Sequence, residues 1–141
     1  MRVALDTNIL ACAEGVGDIE RRMVATQSIR AIEDGKLFIA TQALMELYNV
    51  LVRKGGLTPE DARERIAFWQ VSANPVPTTP DVLTEAMELS VRHQFRIWDA
   101  IIVVTAGIAG CSALLTEDMH AGFVWRGTML VNPFRRTSAA H

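Results

Sequence analysis

Four acids in this chain stand where ordinary surface carboxylates do not. Asp6 closes the apolar run Val3-Ala4-Leu5, and Glu46 lies inside Met45-Glu46-Leu47-Tyr48. Asp99 is the only charged residue between Ile97 and Cys111, and Asp118 follows Ala113-Leu114-Leu115 by way of Thr116-Glu117. An ionised carboxylate among apolar neighbours is costly to desolvate unless something compensates it. For Asp99 the compensation is a helix N-terminus, a basic partner or a bound cation. Carboxylates that converge repel one another and take up protons unless a counter-charge is present. A divalent cation removes that repulsion, and hard oxygen donors suit Mg²⁺ or Mn²⁺. A hydrated cation held in this way suits phosphate-ester hydrolysis, because it polarises phosphoryl oxygens, activates water and stabilises the leaving oxygen. His93, His120 and His141 are scattered and, with Cys12 and Cys111, make no zinc-ligand spacing.

Each acid also has a plainer role open to it. Asp6 could start an Asx-turn or cap a segment through Ile9-Leu10-Ala11. Asp99 could be an N-cap and nothing more. Glu117 and Asp118 could form an ordinary turn. At 100° per residue, Glu46 falls nearly opposite the stripe Leu44, Leu47, Tyr48 and Leu51, which assigns it to a solvated face unless that face borders a cleft.

The elements that must position these residues are legible as periodicity and punctuation. Arg2–Leu5, Leu37–Ala40, Ser112–Leu115 and Met129–Val131 read as short strands. Ile19, Met23, Ile29 and Ile32 lie near helical spacing, with Gly35 as a stop. Thr41 is placed to cap a helix that closes at Arg53, Lys54 and Gly55-Gly56. Thr58-Pro59-Glu60-Asp61 and Thr79-Pro80-Asp81 are capped helix starts. Their buried faces are expected to be Ala62, Ile66 and Trp69 in the first, and Leu83, Ala86, Met87 and Leu89 in the second. Asn74-Pro75-Val76-Pro77 belongs at a sheet edge or in a connection, since proline cannot donate to a ladder. A helix from Asp99 is apolar all round and therefore buried. Strands alternating with helices predict an α/β domain with a mainly parallel sheet, and in such sheets functional groups gather beyond the carboxyl ends of the strands. Asp6 and Asp118 hold that kind of position.

With 141 residues, half of them hydrophobic and 21% charged, the chain is expected to form one globular domain over 1–134, with a flexible tail at 135–141. The longest apolar run, Ala100–Cys111, is too short to span a membrane, which takes ~20 residues. Met1-Arg2 runs directly into Val3-Ala4-Leu5 without a leader-like pattern, so a cytoplasmic chain with reduced, buried cysteines is expected. The net charge is −2, and setting the four acids aside leaves +2, a mildly basic surface around an acidic pocket. Arg92, Arg96, Arg126, Arg135 and Arg136 are candidates for phosphate contact, although a surface Arg is more often simply solvated. Met23, Phe68 and Trp69 are either core residues or interface residues.

The segments Val3-Ala4-Leu5-Asp6-Thr7-Asn8-Ile9-Leu10, Met45-Glu46-Leu47-Tyr48-Asn49-Val50-Leu51, Ile97-Trp98-Asp99-Ala100-Ile101-Ile102-Val103 and Leu114-Leu115-Thr116-Glu117-Asp118-Met119 resemble, in order, the four acidic motifs of PIN-domain nucleases. The compact length and Trp98-Asp99-Ala100 are most similar to VapC-type toxins of toxin–antitoxin pairs. The resemblance implies an endoribonuclease dependent on one or two Mg²⁺ or Mn²⁺ ions, a homodimer, an RNA substrate and inhibition by a small antitoxin. It implies Asp6, Glu46, Asp99 and Asp118 as catalytic and metal-holding residues, with Asp6 and Asp99 the principal anchors. Asn8 and Thr116 would support these acids or touch substrate, and Glu117 would either join the cluster or lie on the surface. A non-catalytic PIN-like binding domain and a housekeeping RNA-processing nuclease remain alternatives. A phosphoacceptor receiver domain fits poorly, because Lys36 and Lys54 are the only lysines and both fall early.

Overall fold

The computed structural model describes residues 1–135, so the tail expected at 135–141 lies almost wholly outside the described residues. The chain runs β1 (Val3–Leu5), α1 (Thr7–Ala13), α2 (Ile19–Arg30), β2 (Leu37–Ala40), α3 (Thr41–Arg53) and α4 (Pro59–Ser72). It continues through β3 (Asn74–Val76), α5 (Pro80–His93), α6 (Ile97–Ile108), β4 (Ala113–Leu115), β5 (Val124–Trp125) and β6 (Thr128–Val131). The strands form one sheet in the order β3-β2-β1-β4-β6-β5. All pairs are parallel except β5–β6. This is the expected α/β architecture, a mostly parallel sheet flanked by helices.

β1 lies at the centre, with Val3 opposite Leu37 on one side and Ala113 on the other. Its residues are buried throughout, which explains an unbroken apolar run where a half-exposed strand would alternate. From β1 the chain crosses first to β2 on one side and later returns to β4 on the other. The space beyond the carboxyl ends of β1 and β4 is therefore a topological switch point, where side chains from two strand ends can converge.

The helices follow their sequence signals closely at α4 and α5. Thr58 and Thr79 accept the backbone N–H groups of Asp61 and Val82, and Pro occupies the first turn of each helix. Asn74–Val76 forms the edge strand β3, where Pro75 needs no donor on its outer side. In α6, every residue from Ala100 to Ala106 is buried, as an all-apolar helix requires.

Several expectations shift. Thr41 is the first helical residue of α3 and Ala40 takes the cap position without a side-chain bond. In α5 the buried line is Val82, Ala86 and Leu89, whereas Leu83 and Met87 are exposed. Ala86 and Leu89 face inward as expected, and Val82 takes the inward position that Leu83 and Met87 do not. In α2, Ile19 and Met23 are exposed and Ala25 is the buried residue, while Ile29, and Ile32 just past the helix end, pack against the core edge. Trp69 is buried, with its indole N–H donating to Glu14 at 3.0 Å, and Met23 and Phe68 are exposed. The antiparallel pair β5–β6 escaped the sequence reading because a two-residue strand carries no periodicity. Among the described residues no helix is long and apolar enough to cross a membrane.

Candidate active site

The site begins where β1 stops. The Asp6 backbone N–H donates to the Leu115 carbonyl at 2.9 Å, the last tie between β1 and β4. Asp6 then caps α1. One carboxylate oxygen, Oδ1, accepts the Thr7 N–H at 2.7 Å, and Oδ2 accepts the Thr116 hydroxyl at 2.7 Å. The capping role and a site role thus coexist in one residue, which is only 5% exposed. Burial pushes its carboxyl up to about 6 from 3.8. The Thr116 and Thr7 hydrogen bonds oppose this rise, while the charges of Asp99 and Glu46 add to it.

Glu46 sits on α3 opposite the buried Leu44–Leu47–Leu51 stripe, as periodicity requires. That face borders a cleft instead of open solvent. The Thr7 hydroxyl donates to Glu46 Oε2 at 3.1 Å, and the Gln42 amide donates to Oε1 at 3.1 Å. Thr7 therefore links the two acids, donating its backbone N–H to Asp6 and its hydroxyl to Glu46.

Asp99 is not the cap of α6. The helix begins at Ile97 and Arg96 holds the cap position without a side-chain bond, leaving Asp99 as the third helical residue. In the first turn, the helix dipole still favours its negative charge. Burial raises its pKa, the Arg96 charge lowers it, and Glu46 and Asp118 raise it further. Asp118 lies exposed in the turn after β4, and its Oδ2 accepts the Asn8 amide at 2.9 Å. Asn8 in turn accepts the Glu117 backbone N–H at 3.4 Å, tying α1 to the β4 turn.

Asp6, Glu46, Asp99 and Asp118 all line one cleft of about 580 Å³, together with Asn8. Thr116 lies beneath it, fully buried and bonded to Asp6. Glu117 does not line the cleft, and its carboxylate pairs with Arg21. Of the arginines proposed for phosphate contact, Arg96 lines the cleft, Arg92 pairs with Glu88, and Arg126 pairs with Glu85. Arg136 lies outside the described residues.

The sequence reading passed over Thr7, Gln42 and Lys54, which also line the cleft. Gln42 carried a usable signal, standing one helical turn before Glu46. Lys54 had been read only as the end of α3.

The four acids offer carboxylate oxygens, the donors a hard divalent cation takes. Among the described residues, no three His, Cys, Asp or Glu side chains stand close enough together to make a three-ligand metal site. An ion that keeps several waters does not need one, since water reaches the more distant carboxylates. Asp99 and Glu46 crowd Asp6 with like charge, and Glu46 and Asp118 crowd Asp99, so the cleft gathers more negative charge than Arg96 offsets.

No curated protein sequence matches the chain at a significant level. Solved structures share its fold. A toxin–antitoxin complex from Klebsiella pneumoniae aligns with a TM-score of 0.72 and 20% identity, over 95% of this chain and 99% of that one. VapC20 of Mycobacterium tuberculosis, a toxin that cleaves the sarcin–ricin loop, aligns with a TM-score of 0.68 and 21% identity, over 79% and 86%. FitAcB of Neisseria gonorrhoeae aligns with a TM-score of 0.65 and 13% identity, over 95% and 99%. The PIN domain family model matches residues 3–121, and over that span, most of its length, the chain belongs to the PIN-domain family.

Proposed function

We propose that this chain is an endoribonuclease that depends on Mg²⁺ or Mn²⁺ and acts in the cytoplasm as the toxin of a toxin–antitoxin pair. The observation that carries this reading is the gathering of four acids on one cleft at the switch point of the sheet, where Asp6 and Asp99 are both pushed up by burial and by acidic neighbours. Such a cluster is disfavoured on its own and becomes favourable with a cation. When bound, the cation supplies neutralisation of phosphate charge and acidification of water. Asp6 and Asp99 are its principal holders, with Glu46 and Asp118 completing the donor set through water.

The chain's own residues set the geometry. Thr7 and Thr116 fix both oxygens of Asp6, and Gln42 and Thr7 hold Glu46. Asn8 draws Asp118 toward α1. Arg96 and Lys54 stand on the cleft to meet the phosphates of an incoming polyanion. In-line attack by water leaves a 5′-phosphate and a 3′-hydroxyl. No carboxylate is required as a covalent nucleophile.

The toxin reading is supported by the toxin–antitoxin complexes among the structural relatives. A homodimer is supported by the stripe Leu83, Met87 and Val91 that α5 leaves exposed. Sedimentation of the isolated chain tests the dimer. The activity test compares wild type and Asp99→Asn on structured and unstructured RNAs with Mn²⁺, with Mg²⁺ and with chelator. Cleavage that requires the ion and falls by orders of magnitude in the folded variant supports the reading. Unchanged ion-dependent cleavage by Asp99→Asn overturns the assignment, and RNA binding without cleavage across all substrates favours a non-catalytic binding domain.

A further inference from the structure

The acidic cleft does not end at Asp99 and Asp118. Both residues, with Arg96, also line a second hollow of about 490 Å³, so the two hollows adjoin at these three side chains. The floor of the second hollow is aromatic. Phe123 stands between His93 and Phe95, edge-to-face with both, at ring-centroid distances of 5.0 Å. Gln94 lies on its rim with φ 58° and ψ 32°, a left-handed conformation that glycine or asparagine ordinarily supplies at a helix end. The turn that carries it is pinned, because the Ser90 hydroxyl donates to the Phe95 carbonyl at 2.6 Å. A glutamine held in this conformation costs stability that glycine would not, and such outliers concentrate at binding sites.

We propose that this hollow is a subsite for one unstacked RNA base, belonging to the nucleotide beside the scissile phosphate, with Phe123 and Phe95 as the aromatic platform and the Gln94 amide reading the base edge. The proposal rests on the ribonuclease reading and locates its substrate selectivity. Phe95 and Phe123 are half-buried against the core and keep part of their surface on the hollow. An aromatic ring that reaches a groove accepts any base by stacking, and an amide that both donates and accepts can discriminate among base edges. The carboxylates cannot select a base, because they face the phosphate.

The test uses a random-sequence, single-stranded 20-nucleotide RNA pool cleaved with Mg²⁺, with the cut ends sequenced. Wild type, Gln94→Gly and Phe123→Leu are compared, and each is also melted thermally. Wild type is expected to leave an uneven base composition at one position flanking the cut. Gln94→Gly relieves the left-handed strain, so it should melt at or above wild type while flattening that preference. Phe123→Leu keeps an apolar filler and should lower kcat/KM about tenfold through lost stacking. Wild-type base preference and wild-type kcat/KM in folded Gln94→Gly and Phe123→Leu overturn the subsite while leaving the nuclease reading standing. Absence of cleavage by wild type overturns the nuclease reading and the subsite with it.

Discussion

Replacing Asp6 by Asn should make the metal-free protein more stable, although it removes a carboxylate proposed to hold the cation. Asparagine keeps the shape of the cap. Its carbonyl oxygen can accept the Thr7 N–H now received by Oδ1, and its amide can donate to the Thr116 hydroxyl in place of accepting from it. What is lost is the charge. In the folded chain burial holds the Asp6 carboxyl at about 6 against 3.8 ordinarily, so folding favours its protonated form. Between these two values the native state binds more protons than the unfolded state, and stability falls as pH rises. Below 3.8 the carboxyl is protonated in both states and the penalty is absent; above about 6 it is fully present, at about 3 kcal/mol. At roughly 3 °C per kcal/mol for a domain of this size, Asp6→Asn should melt about 5–10 °C above wild type at pH 8 in chelator. The gap should close as pH falls toward 4, and Mg²⁺ should raise wild type far more than the variant. Urea titrations of both proteins at pH 8 and pH 4, with and without Mg²⁺, read these differences directly. A variant equal to or less stable than wild type at pH 8 in chelator would refute the argument that burial and acidic neighbours strain Asp6.

Other residues allow sharper separations. Thr116→Val removes the hydroxyl donor to Asp6 from a fully buried position, and should cost roughly 1–3 kcal/mol in urea titration and raise the Asp6 pKa further, whereas Thr116→Ser should restore both. Because Arg21 holds Glu117 away from the cleft, Glu117→Gln should retain most RNA cleavage under conditions where Asp118→Asn loses it. A methyl group at Gly107 would run into the Trp125 ring, so Gly107→Ala should destabilise by about 1–3 kcal/mol, measured by melting. Burial raises both thiols, that of Cys111 to about 11, so neither Cys12 nor Cys111 should alkylate at pH 8 until the chain unfolds.

What was legible in the sequence followed from local physics. Threonine caps and first-turn prolines marked α4 and α5 because the threonine hydroxyls accept free backbone N–H groups and each proline lacks an N–H where none could be paired. The apolar runs marked β1 and α6 because all of β1, and α6 from Ala100 to Ala106, are buried on every side. What was not legible depended on which neighbour an element meets. The spacing of Leu83, Ala86, Met87 and Leu89 describes a helix, but the partner of α5 decides that Val82 turns inward and Leu83 outward. Glu117 and Asp118 are adjacent and equally acidic in sequence. They part only because Arg21 reaches across from α2 to one and Asn8 reaches from α1 to the other. Glu46 is the instructive case, since its periodicity correctly turned it away from the core while saying nothing about what lay on that side.

Asp99 shows how position and charge are reconciled. A capping residue would hold the helix end and use its carboxylate on the backbone. Because α6 instead begins at Ile97, Asp99 is the third helical residue, and its carboxylate is left for the cleft. The seven buried residues that follow, Ala100 to Ala106, anchor the helix so that its first turn cannot retreat from the neighbouring acids. Arg96, three residues earlier, moderates the charge without removing it, and Glu46 and Asp118 still raise the Asp99 pKa. The first turn of a helix suits an acid on its own account, but stability alone does not call for the company of Glu46 and Asp118. Rigid burial behind and electrostatic strain in front are together the arrangement expected of a ligand fixed in advance of its cation, since the core offsets the repulsion that the ion later relieves.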